Sequence, residues 1–320
     1  MNPAKEMRNV ADSVRQRLLD LARRQGVDFN LVLQRYAIER FLYRLGISDQ
    51  VDRFTLKGAT LFLVWAGEEY RPTRDIDLLG VGLEDPAAIR RAMEAICAVP
   101  SPEDGVVFDP ASIRIEDIRD QQEYGGLRVR LRGSLGRARL ALQVDIGFGD
   151  AITPGREEQD YPTLLGHPAP RLWAYPRETF VAEKFEAMVR LGRPNSRVKD
   201  FWDVASLARH FAFDGETLRS AIDETFRRRG TKLAGERPEA LRPAFYEDAV
   251  RARRWQEFQR QVDAGQHGPA RLVDAGEEVR RFLGPVCDSL IGGEPFTLGW
   301  PAGGPWQPAE YTGEGGEGHV

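Results

Sequence analysis

Residues 54–80 read FTLKGATLFLVWAGEEYRPTRDIDLLG. The pattern predicts a strand that ends at Leu56, a tight turn at Lys57-Gly58, a short helix over 59–65 and a second strand over 75–79. The stretch therefore combines two strands with one short helix.

The second strand brings two carboxylates together. Asp75 and Asp77 share one of its faces because strand side chains alternate. Two bare carboxylates side by side repel, and a divalent cation such as Mg²⁺ removes that cost. Gly58 lets the backbone approach an anion, and the helix after it offers N–H groups to phosphate. The stretch predicts a metal–nucleoside triphosphate site; the alternative is a solvated strand face.

A third candidate carboxylate is Asp145, in a predicted strand over 140–150. Leu142, Val144 and Ile146 alternate onto the opposite face of that strand. On a strand beside Asp75 and Asp77, this side chain could bind a catalytic metal and orient or deprotonate an attacking hydroxyl. The alternative is an ordinary edge-strand aspartate.

Lys184 lies within an apolar stripe of a helix predicted from Pro176 to Leu191. Burying a lysine is costly unless its ammonium meets an anion. We expect Lys184 to face the triphosphate, although its ammonium could instead reach past the apolar surface to water.

The next predicted helix carries three further candidates, Lys199, Asp200 and Asp203. Lys199 and Asp203 are four residues apart and Asp200 and Asp203 three apart, so each pair shares a helix face. These side chains are either site residues or an ordinary helix salt bridge.

Composition restricts the class of protein. The chain has 320 residues, 42% of them hydrophobic and 29% charged, with a net charge of −4. These values are typical of a globular protein, and no run of 18 apolar residues predicts a membrane span. The N-terminus lacks the apolar segment of a signal peptide, so we expect a cytoplasmic protein with no membrane partner.

Basic residues are concentrated in three places. Arginines alternate on one face of a predicted strand over 127–132, followed by a turn over 133–136. Arginines also cluster at 227–229 and at 251–254, where Trp255 follows. The strand arginines either contact a phosphate backbone near the site or form an exposed sheet face. The two later clusters either contact RNA phosphates and bases or form a solvated helix face.

The chain resembles the AbiEii/AbiGii toxin family of nucleotidyltransferases. The resemblance implies an α+β fold of the polymerase β type, with a mixed sheet. The resemblance covers residues 33–207 and rests on five segments. They are Gln34–Arg40, Leu56-Lys57-Gly58, Arg71-x-Thr73-x-Asp75-x-Asp77, the segment around Asp145, and Glu183-Lys184 through Asp203. Ala59 is a departure, because many members have glycine or serine after the first glycine. For Gln34, Arg35, Glu39 and Arg40 we expect a role in helix docking.

The resemblance implies a toxin that transfers NMP from an NTP to the 3′ end of tRNA, uses one or two Mg²⁺ ions and is opposed by an antitoxin. Two alternatives remain: NMP transfer to a protein hydroxyl, and a non-catalytic nucleotide-binding module. The predicted catalytic residues are Asp75, Asp77, Asp145, Lys184 and Asp203. The first three would bind metal, and the predicted nucleotide-binding residues are Lys57, Gly58, Thr73, Lys184, Lys199 and Asp200.

The predicted organisation has three parts. Residues 1–165 form a polymerase β-like nucleotidyltransferase domain with N-terminal helices, and residues 166–290 form a mainly helical domain. Residues 291–320 are rich in glycine and proline and are expected to form a loose tail.

Overall fold

The structure is a computed structural model that describes residues 3–67, 73–82, 84–118, 125–192, 197–233, 235–262 and 268–308. The chain divides into two units. The first comprises Met1–Asp150 and Gly155–Pro176, and the second comprises Ala151–Pro154 and Arg177–Val320. The division therefore falls after Pro176 and not at residue 165. The segment before Pro176 stays with the first unit because the Tyr175 N–H donates to the Leu56 carbonyl at 3.0 Å.

The first unit is a mixed sheet with helices, as predicted. Its helices are α1 (Pro3–Gln25), α2 (Phe29–Gly46), α3 (Leu61–Ala66) and α4 (Pro86–Ala98). Its strands are β1 (Phe54–Lys57), β2 (Asp75–Gly80), β3 (Val106–Ile118), β4 (Gly126–Leu135), β5 (Ala138–Phe148), β6 (Glu157–Asp160) and β7 (Arg171–Ala174). The strand order is β3-β4-β5-β2-β1-β7-β6. The β2–β5 and β1–β7 pairs are parallel, and the other pairs are antiparallel.

The sheet has one apolar and one polar face around β2, β4 and β5, because side chains alternate along each strand. The side chains on the apolar face are buried: Ile76, Leu78, Leu127, Val129, Leu131, Leu142, Val144 and Ile146. Asp75, Asp77 and Asp145 lie on the other face and are half-buried. We call this second surface the polar face.

The turn between β4 and β5 differs from the prediction. It lies at Gly136-Arg137, where Gly136 has φ +59°, and not at 133–136. Leu135 and Ala138 close the hairpin as paired residues. A two-residue turn with positive φ at its first position suits the right-handed twist of paired strands.

The family-like residues of α2 dock that helix, as expected. Gln34 donates to the carbonyls of Arg74 and Ala141 at 3.2 and 3.1 Å. Glu39 accepts from the Leu164 N–H at 2.8 Å, and Arg40 donates to the Pro168 carbonyl at 2.9 Å. Burial raises the pKa of Glu39 to about 7. These contacts are structural.

The second unit is mainly helical, as predicted. Its helices are α5 (Arg177–Leu191), α6 (Val198–His210), α7 (Gly215–Arg228), α8 (Pro243–Tyr246), α9 (Ala249–Val262) and α10 (Leu272–Gly292). A small antiparallel sheet joins β8 (Phe213–Asp214), β9 (Leu298–Trp300) and β10 (Gln307–Pro308).

Two expectations for this unit are wrong. Residues 292–308 are not a loose tail, because Trp300 is 2% exposed and its indole N–H donates to the Ala208 carbonyl at 2.7 Å. Residues 309–320 lie outside the described residues. Trp255 is not a stacking surface for RNA, because it is 1% exposed and donates to the Ala270 carbonyl. Within the described part of the chain, no helix is long and apolar enough to cross a membrane.

Candidate functional site

Strand register brings the predicted site residues of the first unit together. Asp77 is paired with Lys57 across β1 and β2, and with Asp145 across β2 and β5. Asp75 is paired with Gln143 in the same ladder. Paired residues on adjacent strands point to the same side of a sheet, so all these side chains lie on the polar face. The third carboxylate thus lies beside the first two, as the sequence analysis expects.

Gly58 fits the site in two ways. Its φ is +72°, a left-handed conformation that glycine adopts without steric cost. A Cβ at this position would lie 2.0 Å from Asp77 Oδ2 and 2.8 Å from Asp77 Cβ. The turn therefore runs directly against the Asp77 carboxylate, and a larger residue would displace one of them.

Lys57 extends from the end of β1 to Asp150, a carboxylate just beyond the end of β5. Its Nζ lies 2.7 Å from Asp150 Oδ2, and both side chains are about one-seventh exposed, at 14% and 15%. The ammonium also lies 5.2 Å from the centre of the Tyr175 ring. The ammonium of Lys57 is thus held by Asp150 and Tyr175, on the same face of the sheet as Asp77.

Asp145 is bound by an arginine that sequence reasoning did not assign to it. Arg128 is its partner in the β4–β5 ladder and donates from Nε and Nη2 to both carboxylate oxygens, at 2.8 and 2.7 Å. This hydrogen-bonded pair raises the pKa of Arg128, and the charge of Asp75 contributes. Asp145 and Asp75 therefore favour a positive charge at the position of the Arg128 guanidinium.

The chemistry of the donors fits a hard divalent cation, but the arrangement is incomplete. Asp75, Asp77 and Asp145 supply the carboxylate oxygens that Mg²⁺ prefers, and a guanidinium already occupies the last of them. Among the residues that the structure describes, no three carboxylate, imidazole or thiol groups are close enough to hold a metal ion. Asp145 could join a metal site through its remaining lone pairs, in competition with Arg128.

The turn at Gly58 has fewer groups available to bind phosphate than predicted. The helix α3 has six residues, and the N–H groups of Leu61, Phe62 and Leu63 already donate to carbonyls of the turn. The hydroxyl of Thr73 donates to the Asp75 carbonyl at 3.3 Å. Thr60 is fully buried, so its hydroxyl does not replace one missing at Ala59. Arg71 of the family-like motif lies outside the described residues.

Lys184 heads a separate cluster in the second unit. Its Nζ lies 2.9 Å from Asp200 Oδ1 and 3.1 Å from Asp203 Oδ2, and both carboxylates are fully buried. Arg197 contacts Asp200 at 2.9 Å. Lys184 itself is 13% exposed. The ammonium is therefore held by carboxylates and does not extend freely into water.

The structure separates the three candidates on α6. Asp200 and Asp203 are buried beside Lys184, whereas Lys199 is exposed. The spacing of Asp200 and Asp203 correctly predicted a shared face. It could not indicate that their partner is a lysine on the preceding helix.

A mixed sheet that presents a lysine, a glycine turn and three aspartates on one face, followed by a helical unit, defines a nucleotidyltransferase fold. The family model for the nucleotidyl transferase AbiEii toxin of type IV toxin–antitoxin systems matches residues 40–278. The match covers well over half of the chain, and this protein belongs to that family.

Two solved structures from Helicobacter pylori are similar. One is JHP933, with 14% identity and a TM-score of 0.46, matching 83% of this chain and 95% of its own. The other is a candidate nucleotidyltransferase, with 14% identity and a TM-score of 0.46, matching 84% of this chain and 99% of its own. No functionally curated protein matches significantly.

Proposed function

We propose that this protein is a metal-dependent toxin that transfers NMP from an NTP to the 3′ end of an RNA, with tRNA as the acceptor. The observation that carries the proposal is the ladder of Lys57, Asp77 and Asp145 across three adjacent strands. In this ladder an ammonium group that could bind phosphate lies on the same face as carboxylates that could bind a metal ion and the acceptor hydroxyl. Membership of the AbiEii family supports the reaction class and implies an antitoxin as a partner.

Each group on the polar face has a role in this reaction. Lys57 and the Gly58 turn bind the triphosphate, and Asp75 and Asp77 would hold the metal, with Asp145 as a further ligand. When bound, Mg²⁺ would neutralise the triphosphate and polarise its α-phosphate. The family resemblance implies nucleotide binding by Lys184 of the second unit, whose ammonium is held by Asp200 and Asp203. The same role for the exposed Lys199 stays a prediction.

The transfer itself is an in-line substitution at the α-phosphate. The acceptor hydroxyl forms a new P–O bond, the bond between the α- and β-phosphates breaks, and pyrophosphate leaves with the bonding electrons. A carboxylate oxygen of Asp145 accepts the hydroxyl proton. Both oxygens of Asp145 are hydrogen-bonded to Arg128 in the structure, so proton transfer to Asp145 competes with this ion pair.

The ion pair between Arg128 and Asp145 also favours a second candidate function. A site in which arginine permanently replaces metal would bind a nucleotide without transferring it. Such a module would bind NTP equally well with and without Mg²⁺. A catalytic site would bind it more tightly with the metal.

The experiment incubates the purified protein with each α-labelled NTP, Mg²⁺ and total tRNA. Label on the RNA 3′ end supports the proposal, and its loss in Asp75→Asn and Asp77→Asn assigns the transfer to this site. Label on a protein, located by mass spectrometry of its peptides, would replace RNA by a protein hydroxyl as the acceptor. No transfer with any NTP, together with metal-independent NTP binding, would establish the non-catalytic module.

A further inference from the structure

An arginine-lined groove of about 900 Å³ opens on the first unit, next to the candidate site. Its walls come from the start of α2 and from β2, β3, β4 and β5. We call it the arginine groove, after the four arginines that line it: Arg74, Arg114, Arg130 and Arg132. Its volume lies within the range of pockets that hold ligands the size of one or a few nucleotides.

Three of these arginines form no salt bridge with a carboxylate in the part of the chain that the structure describes, although Asp28, Asp75 and Glu116 also line the groove. Arg130 binds both oxygens of Glu116, at 2.8 and 2.7 Å. Arg74, Arg114 and Arg132 are exposed and form no salt bridge with any described residue. Guanidinium groups bind phosphates through paired hydrogen bonds, so these three provide a surface for a polyanion.

The β3 strand is shaped to make this wall. Pro110 cannot donate a ladder hydrogen bond, and the register shifts between Asp109 and Arg114. The irregular segment is closed locally: the Ser112 hydroxyl donates to the Asp109 carbonyl at 2.6 Å and accepts from the Arg132 N–H at 2.8 Å. Arg114 and Arg132 therefore leave the sheet from backbone positions that are fixed by hydrogen bonds.

The groove is continuous with the carboxylates. Asp75 lines both the groove and the candidate metal site. Gln143, also in the groove wall, is paired with Asp75 and donates to Asp145 at 3.4 Å. A ligand that fills the groove therefore ends beside the group of aspartates.

The order of charges across the sheet gives each substrate its own side. The order β3-β4-β5-β2-β1 places Lys57 on one side of the aspartates and Arg114, Arg130 and Arg132 on the other. The Lys57 side is used by the NTP phosphates in the proposed function. The arginine side remains for the second substrate, whose terminal hydroxyl must reach the same aspartates.

We propose that the arginine groove binds the phosphates of the last unpaired nucleotides of the acceptor RNA and directs its 3′-hydroxyl to Asp75 and Asp145. The orientation of the RNA, with its 3′ end at the aspartates, rests on the proposed function. No aromatic side chain is among the described residues that line the groove, so affinity comes from phosphates and not from base stacking. The polar side chains of Asn30 and Gln143 can bind sugar hydroxyls.

The test compares the wild type with Arg114→Gln/Arg132→Gln. The control is Arg24→Gln/Arg91→Gln, which removes two exposed arginines of the same unit that do not line the groove. A single-stranded RNA ending in a 3′-hydroxyl is titrated by fluorescence anisotropy over a range of salt concentrations. The groove variant should bind about tenfold more weakly, with a salt slope smaller by about one to two, while the control binds as the wild type.

NTP binding separates this inference from the proposed function. Calorimetry should give equal affinity for magnesium–NTP in all three proteins. Unchanged RNA affinity in the groove variant would overturn the inference even if nucleotide transfer is confirmed. Arginine-dependent RNA binding without transfer would support the groove and contradict the proposed reaction. Arginine-dependent binding of poly-glutamate but not of RNA would overturn the inference and make the groove a docking site for an acidic protein segment.

Discussion

Lys57 in the first unit and Lys184 in the second unit both bind carboxylates, but their surroundings differ. Lys57 binds Asp150, a carboxylate that is 15% exposed, and strand pairing places Lys57 beside Asp77. Lys184 meets two carboxylates that are fully buried. The position of Lys57 is therefore fixed by the backbone, and that of Lys184 by charge pairing in the interior. Substitutions at Lys57 should change activity more than stability, whereas substitutions at Lys184 should change both.

The largest effect is expected at Asp77, which lies between Lys57 and Asp145. Asp77→Asn keeps the shape of the side chain but removes its charge. Nucleotide transfer should fall by about 10³-fold or more, because a site for charge stabilisation loses its central group. The melting temperature should change little, since Asp77 is half-buried on a strand face. Asp117→Asn, an exposed aspartate of β3, is the control and should keep full activity.

The second effect concerns stability in the second unit. Lys184→Met leaves Asp200 and Asp203 buried without their ammonium partner, which should lower the free energy of unfolding by about 3–5 kcal/mol. Lys57→Met should cost only about 1 kcal/mol, because its carboxylate partner Asp150 reaches water. Denaturant unfolding of both variants measures the difference.

A double variant separates the two roles of Lys184. Lys184→Met/Asp203→Asn removes one of the uncompensated charges and should regain part of the lost stability without regaining transfer. Equal destabilisation by Lys57→Met and Lys184→Met would contradict the contrast between the two units.

The third effect isolates the contact between Gly58 and Asp77. Gly58→Ala and Gly67→Ala introduce the same side chain at the same φ of +72°. Each should lose about 1 kcal/mol of stability for backbone strain. Only Gly58→Ala collides with Asp77, because nothing lies within 4 Å of a Cβ at Gly67. Transfer by Gly58→Ala should fall about a hundredfold at constant protein and substrate concentration. Similar activity in both variants would show that the close approach is not needed.

The smallest effect is expected at Arg128. Arg128→Gln removes the guanidinium that competes with metal for Asp145. The Mg²⁺ concentration for half-maximal transfer should decrease several-fold, by about 1 kcal/mol of binding free energy. Arg130→Gln removes a neighbouring arginine that binds Glu116 and should leave this metal dependence unchanged. A higher Mg²⁺ requirement in Arg128→Gln would mean that the arginine assists metal binding.

Local patterns predicted the parts of the site that lie within one short stretch. The alternation of Asp75 and Asp77 and the turn at Gly58 depend only on nearby residues, and the structure has both. The pairing of Asp77 with Asp145 depends on how two distant strands align in parallel, and no local pattern sets that register.

The Arg128–Asp145 pair shows how a small error in a turn hides a contact. A hairpin centred on 133–136 pairs Arg128 with Ala141, whereas the observed turn at Gly136-Arg137 pairs it with Asp145. The arginines of this strand were therefore recognised as one face, but their carboxylate partner was not. Recognising Gly136 as the positive-φ residue would have supplied the correct register.

The residues of the second unit were harder to interpret for a different reason. The helical spacing of Lys184 showed that it would be partly buried. The carboxylates that compensate its charge, Asp200 and Asp203, belong to the next helix. Residues 193–196, which lie between the two helices, are outside the described part of the chain. Similarly, the glycine-rich composition after residue 291 concealed Trp300, whose burial depends on contacts with α6 and α10.

The most direct test of the central claim is a crystal structure with Mg²⁺ and a non-hydrolysable NTP. We predict the triphosphate at Lys57 and the Gly58 turn, with metal on Asp75 and Asp77. A nucleotide bound elsewhere on the protein, or one bound at the turn with no metal on either aspartate, would contradict the account.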